Sequence, residues 1–384
     1  MNDIHIFCDI RVIICFKELL FNLTMGDEGA DEVLKRVRDN SHAERIKRRK
    51  EMYRKQRQLT SELSRIELTK EFSEEEVIKT ARMICNGPSD SREQSLMDLK
   101  KAFILDQCHM VSFMKVEGAL HALVGYLMSK KPVEQLLAAE CCSNLAMGDS
   151  KTCFKLAKSA SPYLITILQG LNYNLMNVCI ISLFNLSGSG EKICDLLYSQ
   201  GIFNALLRTM SIPELRDNTI KTLISFTKTG SKILVEADVK NLLNAVLPYF
   251  EMMDKVQWLV YQLTPFSYVN PFLLQNDVHS RILTLLSSHR QIRIDNILAV
   301  TSLVRIMGNL IPDPEGITAC MLLRRWETTC EVFKFFLTLN FPHLGKEIHW
   351  VLANIVHHRN PRVQTQLVGV DVSWAILGIA SPGS

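Results

Sequence analysis

Leu137-Ala-Ala-Glu-Cys-Cys-Ser-Asn144-Leu-Ala146 is followed 41 residues later by Val178-Cys-Ile-Ile-Ser-Leu-Phe-Asn185-Leu-Ser187, and the likeness between the two decides the fold. The same local pattern returns around Phe226, Gln262, Asn309 and Asn354, with spacings of 41, 41, 36, 47 and 45 between successive anchors. Six positions before each anchor stand Ala138, Cys179, Ile220, Val256, Leu303 and Ile348. Two before it stand Cys142, Leu183, Ile224, Val260, Met307 and Leu352, and one after it Leu145, Leu186, Thr227, Leu263, Leu310 and Ile355. Steps of three and four place all of these on one face of a helix, so each unit carries a helix with an apolar stripe. One unit alone has nothing against which to bury that stripe.

A second helix repeats as well. A small or turn-forming residue opens an apolar run at Gly118, Gly201, Asp238, Asp277 and Asp371, and Gly and Asp are good helix starters, so each is a candidate N-cap. Units of two or three helices that can be buried only by stacking form an α-solenoid, and a period near forty residues selects the armadillo or HEAT class. The expected fold is therefore an all-α right-handed superhelix of about seven repeats over residues 73–380.

Composition agrees. The 384 residues are 47% hydrophobic, enough for a continuous core in one elongated domain. Eleven cysteines are scattered singly apart from Cys141-Cys142, several of them on apolar helix faces, a pattern of reduced, core-filling thiols in an intracellular protein. No uncharged apolar run reaches the length of a membrane span, and Arg11, Lys17 and Glu18 leave the apolar stretch near the N-terminus too short for a secretory signal. Residues 1–30 read as an extension outside the fold, with Met25-Gly26 as a candidate start. The final run, Val372-Ser-Trp374-Ala-Ile376-Leu377-Gly-Ile-Ala380, has almost no polar face. It is expected to leave an apolar end exposed if the chain stops there.

Charge is uneven. The net charge is +4, yet residues 31–57 alone carry eleven Lys/Arg against five Asp/Glu, leaving the remainder at about −2. Within that stretch Arg45, Lys47, Arg48, Arg49, Lys50, Arg54, Lys55 and Arg57 place eight cations in thirteen residues, opposed only by Glu51. No Pro or Gly interrupts the run, so residues 31–72 can form a basic helical arm. An acidic protein groove fits it better than nucleic acid, because Tyr53 is the only aromatic residue in the cationic run 45–57 and no recognition fold adjoins it.

An arm of the form Arg-x-Lys-Arg-Arg-Lys-Glu-x-x-Arg-Lys-x-Arg ahead of such an array resembles the importin-β-binding segment of importin-α. Three stretches, Ser91-Arg-Glu-Gln-Ser-Leu-Met-Asp-Leu-Lys-Lys101, Val116-Glu-Gly-Ala-Leu-His-Ala-Leu-Val-Gly-Tyr-Leu127 and Leu137-Ala-Ala-Glu-Cys-Cys142, are closer to another group. With Ser161-Pro-Tyr-Leu-Ile-Thr166, they resemble the importin-α-like family called transmembrane and coiled-coil domain-containing protein 6. The likeness covers roughly residues 31–380 and is strongest over 91–205. It implies an adaptor without enzymatic activity or cofactor. The arm would engage an importin-β-type carrier, a groove would hold a peptide or partner, and the protein would be cytoplasmic and shuttle to the nucleus.

In importin-α the third helix of each repeat lines that groove with a Trp and, four residues later, an Asn. The amide offers donor and acceptor to an extended backbone while indoles hold cationic side chains. The Asn position here reads Asn144, Asn185, Phe226, Gln262, Asn309 and Asn354, and the Trp position reads Glu140, Ile181, Thr222, Trp258, Arg305 and Trp350. Trp350 with Asn354 is the complete pair and Trp258 with Gln262 its chemical relative, so Asn144, Asn185, Trp258, Gln262, Asn309, Trp350 and Asn354 are the candidate binding residues. The eroded positions, and Arg305 through like-charge repulsion, argue against ordinary binding of a basic localisation signal. That leaves a cytosolic scaffold without transport function as one alternative and a basic nucleic-acid-binding solenoid as another. His349, His357 and His358 lack a further ligand at metal spacing, no phosphate loop or nucleophile elbow occurs, and the sequon at Asn185 lies on a helix face.

Overall fold

The computed structural model describes residues 72–288, 297–339 and 341–371, and every regular element among them is helical. In chain order, α1 (Glu74–Asn86) and α2 (Arg92–Leu105) open the array. A full unit follows as α3 (Gln107–Lys115), α4 (Ala119–Tyr126) and α5 (Pro132–Leu145). The next is α6 (Ser150–Ile167) with α7 (Tyr173–Ser187), then α8 (Glu191–Ser199), α9 (Ile202–Thr209) and α10 (Pro213–Thr229). α11 (Glu236–Val246) pairs with α12 (Asp254–Leu263), and α13 (Val269–Gln275), α14 (Val278–Ser288) and α15 (Ile297–Leu310) follow. α16 (Ile317–Arg324), α17 (Trp326–Thr338) and α18 (Pro342–Val356) form the last full unit, and α19 (Pro361–Leu367) begins another. The basic arm, the extension 1–30 and the run 372–380 lie outside the described residues.

Seven of these helices, α2, α5, α7, α10, α12, α15 and α18, pack each against the next and form a ladder through the molecule. Six of the seven carry the anchors read from the sequence. Every stripe position named above is buried except Ile224, which is half-buried against the same core. One continuous core thus runs through the array, as a solenoid requires.

Local chemistry sets the ends of the helices. Ser73 forms a capping box on α1, its Oγ accepting from Glu76 N (3.2 Å) while Glu76 Oε2 accepts from Ser73 N (2.8 Å). Asp106, Asp149 and Asn172 cap α3, α6 and α7 through their side chains. Pro132, Pro213 and Pro342 are the first residues of three ladder helices, where a missing N–H breaks no bond.

The corner between the first two helices of a unit needs a left-handed residue. Gly118 (φ 77°) and Gly201 (φ 83°) supply it, and Asp277 (φ 55°) supplies it before α14. Asp238 is a correction to the sequence reading: α11 starts earlier, after Val235, and Asp238 sits inside its first turn, accepting the Tyr198 hydroxyl. The unit between Gly118 and Gly201 lacks the corner altogether, because α6 continues through it with Pro162 inside. A Cβ on Gly118 or Gly201 would touch nothing, so only the backbone resists substitution there.

None of the nine described cysteines forms a disulfide, and six of them (Cys141, Cys142, Cys153, Cys179, Cys194 and Cys320) are buried. Burial pushes the Cys142 and Cys194 thiols up to about 12, which keeps them protonated and unreactive at neutral pH.

Two outcomes follow from this architecture. Gly118→Ala and Gly201→Ala should each cost about 1–2 kcal/mol by forcing an alanine into left-handed backbone, seen as a lower urea midpoint, whereas Asp277→Gly should raise it. In native protein at pH 7, a thiol reagent resolved by mass spectrometry should label Cys85, Cys108 and Cys330 before the six buried cysteines, which should respond only on unfolding.

Candidate peptide-binding face

The repeating amides all reach back to the preceding ladder helix. Asn144 Nδ2 donates to Lys100 O (3.1 Å), Asn185 Nδ2 to Ser143 O (3.1 Å) and Asn354 Nδ2 to Gly308 O (3.2 Å). Asn309 Nδ2 donates to Thr264 Oγ1 at the end of α12 (2.7 Å). Gln262, with its amide in the orientation that satisfies every neighbour, donates to Ile224 O (3.2 Å) and Thr227 Oγ1 (3.0 Å) and accepts from Trp258 Nε1 (3.2 Å). Helix carbonyls have a second lone pair, so these bonds add to the helix ladder without replacing it. Each is worth about 1 kcal/mol net, and its loss would leave a desolvated donor or acceptor.

Where the anchor is Phe226 the stitch moves. Phe226 is fully buried, and Thr222 Oγ1 reaches Ile180 O of α7 (3.3 Å) while Asn218 Nδ2 donates to Asn177 Oδ1 (2.7 Å). The donor half of the asparagine ladder is therefore already in use. Asn144 and Asn185 are 7% and 3% exposed, and Asn185 Oδ1 is buried without a partner. The acceptor oxygens of Asn144, Asn309 and Asn354 make no hydrogen bond among the described residues. Asn185 and Ser187 of the sequon are both buried within α7.

The positions four residues earlier are varied in chemistry but alike in geometry. Glu140 pairs with Lys100 Nζ (2.8 Å), joining α5 to α2. Ile181 is half-buried and Thr222 buried. The Trp258 ring lies 5.4 Å from that of Tyr261, and both are half-buried. Arg305 does not present a bare cation: Glu347 holds its Nη2 at 2.7 Å and its Nε at 2.8 Å, and its guanidinium lies 5.3 Å from the Tyr261 ring centre. The repulsion expected of Arg305 is thus largely cancelled by a carboxylate one unit further on. Asp217 binds both Lys221 (2.7 Å) and Lys255 of the next ladder helix. Burial opposes ionisation of Asp217, but the two lysines outweigh it and hold the carboxyl below its ordinary value.

Trp350 and Asn354 grip one residue from two sides. A Cβ on Gly308 would lie 2.0 Å from Trp350 Cζ3, so the indole rests directly on the backbone that accepts from Asn354. Gly308, Tyr261 and Glu347 were not legible as site residues, because each matters through a residue about one repeat away. Register could have found Glu347, which stands seven positions before the Asn354 anchor. His349 Nδ1 and His358 Nε2 each bond a backbone carbonyl, and among the described residues no cluster of three or more metal-ligating side chains forms. No described helix is long and apolar enough to cross a membrane.

An all-helical ladder of repeats stitched through one face is an armadillo-type α-solenoid. Among solved structures the chain is similar to an engineered protein (TM-score 0.64, 12% identity, 82% of this chain and 75% of the other). It is also similar to a designed armadillo repeat protein (TM-score 0.52, 12% identity, 61% of this chain and 99% of the other). In sequence it is distantly similar to importin subunit alpha-9 of Arabidopsis thaliana, with 24% identity over 300 residues. That match covers 74% of this chain and 56% of the relative, so the chain spans a little over half the relative's length. No protein-family model matches it.

Gly308→Ala is expected to destabilise the protein by about 1–3 kcal/mol through overpacking against Trp350. Trp350→Ala should relieve most of that cost, so the double variant should be markedly more stable than the sum of the singles implies. Chemical denaturation of the four proteins reads the coupling, and additive effects would place the indole elsewhere.

Proposed function

We propose that this protein is a non-enzymatic adaptor of importin-α type. The ladder helices line a concave face that binds an extended peptide or partner segment, and the basic arm engages an importin-β-type carrier. The observation that carries the reading is the pair of aromatic–amide sites, Trp258 with Gln262 and Trp350 with Asn354, on a stitched armadillo ladder. Arg305, which stands between them, is neutralised by Glu347. The distant similarity to an importin α subunit supports the same assignment. The finer likeness to the transmembrane and coiled-coil domain-containing protein 6 family rests on the stretches between residues 91 and 166 and is part of this proposal.

On this reading the face works differently toward its N-terminal end. Glu140, Ile181 and Thr222 replace the indoles, and Asn144 and Asn185 have little exposed surface to offer. Binding therefore concentrates on α12, α15 and α18, where peptide N–H groups meet the free Oδ1 of Asn309 and Asn354. Those same replacements favour the second reading, a scaffold without transport function that holds its partner without a carrier.

Two measurements separate these. Reversal of Arg48, Arg49 and Lys50 to Glu should abolish capture of the full chain by importin-β, because attraction to an acidic surface becomes repulsion. Equal capture of both proteins would contradict the carrier contact. Fluorescence anisotropy with a Lys/Arg-rich peptide should show affinity falling about five- to tenfold in Trp258→Ala, the loss of one cation–π contact of about 1 kcal/mol or somewhat more, and less in Asn144→Ala. A larger loss in Asn144→Ala would move the site to the other end of the array.

A further inference from the structure

A cavity of about 620 Å³ lies outside the ladder, and none of its lining residues belongs to a ladder helix. Arg324 and Arg325 from the α16–α17 corner and Arg362 from α19 line it, with Glu315 as the only lining carboxylate. None of the three arginines forms an ion pair among the described residues. On the ladder, Lys100, Lys221, Lys255 and Arg305 each have a carboxylate partner.

Helix electrostatics accounts for only part of the cluster. Arg324 ends α16 and Arg325 is its C-cap, where a cation is favoured, but Arg325 is also the N-cap residue of α17 and Arg362 lies in the first turn of α19, where the helix dipole opposes one. Nor is helix capping missing, because the Asp313 carboxylate already accepts from Ile317 N (3.0 Å) and Thr318 N (3.3 Å) at the start of α16. The remaining wall holds an unfinished group. His279 is 7% exposed, its Nε2 lies 3.5 Å from Asp277 Oδ1, and its Nδ1 is buried with no hydrogen-bond partner. Buried polar atoms in native proteins are normally satisfied, and this nitrogen is shielded from the solvent that fills the cavity, so the arginines carry the recognition.

We propose that this cavity is a binding site for a phosphorylated small molecule. Guanidinium forks match phosphoryl oxygens, and three of them line one opening. The volume is that of a small-molecule site and exceeds a lone phosphate, and Ile317 on the rim, 44% exposed, offers apolar contact to an organic body. The site is separate from the peptide face, and its test does not depend on that assignment.

Isothermal titration calorimetry of the full chain with inorganic pyrophosphate, and with a nucleoside diphosphate carrying the same group on an organic body, tests this. Saturable binding is expected with both, tighter for the nucleotide. Binding should weaken at least tenfold in Arg362→Gln and should vanish in the Arg324/Arg325/Arg362→Gln variant. Glu315→Gln removes the opposing charge and should tighten binding. That arm keeps the test decisive if the triple variant folds poorly by circular dichroism. A charge-matched control, Lys151/Lys155/Lys158→Gln, should bind like the parent. Absence of binding at millimolar ligand would overturn the proposal. So would undiminished binding in the arginine variants, which would place the anion on the basic arm, or weaker binding in Glu315→Gln.

Discussion

Each ladder helix has to lose water from both flanks at once, and its own unit can cover only part of that surface. The rest of the structure depends on this constraint. Ala138, Cys142 and Leu145 of α5 are fully buried because α2 lies on one side and α7 on the other. The side-chain stitches obey the same logic. They run from an amide or hydroxyl of one ladder helix to a carbonyl or hydroxyl of the one before, so each bond can form only when two units are correctly stacked. Apolar burial drives the stacking, and the stitches fix its register, since a slipped unit would leave a buried polar group unpaired.

The same constraint limits what the face can offer a partner. An amide already donating to its neighbour has only its oxygen left for an incoming peptide. A lysine paired across units, as Lys100 is with Glu140 and Lys255 with Asp217, is a weaker attractor than a free one. Surface pairs of this kind add little stability individually, but here they offset charge on the ladder face, and on the proposed reading they leave its aromatic positions as the main source of affinity. Trp258 and Trp350 stand two units apart, and Arg305 between them is held between Glu347 and the Tyr261 ring. Three further cations without an ion-pair partner among the described residues, Arg324, Arg325 and Arg362, line the cavity between α14, α16 and α19, where Glu315 is the one carboxylate.

The repeat and its apolar stripe were legible because helical periodicity is local and the unit recurs at nearly constant spacing. Legibility failed where a contact or a break departed from that regularity. The repeated stripe was not read in α2, although that helix packs in the same way as the other ladder helices. Asp238 looked like a cap because acidic residues suit both the cap and the first turn, and only the backbone distinguishes them. In α6 the corner is absent and one helix runs through Ser161-Pro162 despite the proline, where its neighbours turn at glycine. The orientation of the anchor amides was the largest miss. Their spacing is identical whether they face a peptide or the neighbouring carbonyl, and sequence alone does not say which.

The central claim is that consecutive ladder helices are held as one body by burial and by stitches that cross between units. Native-state hydrogen exchange of the parent and of Asn185→Ala, read by mass spectrometry, tests it most directly. The account predicts strong protection of α5, α7, α10, α12 and α15 together in the parent, above that of α3, α4, α8 and α9. Loss of the Asn185 side chain should raise exchange in both α5 and α7. Protection that is uniform across ladder and outer helices, or a change confined to α7, would contradict it.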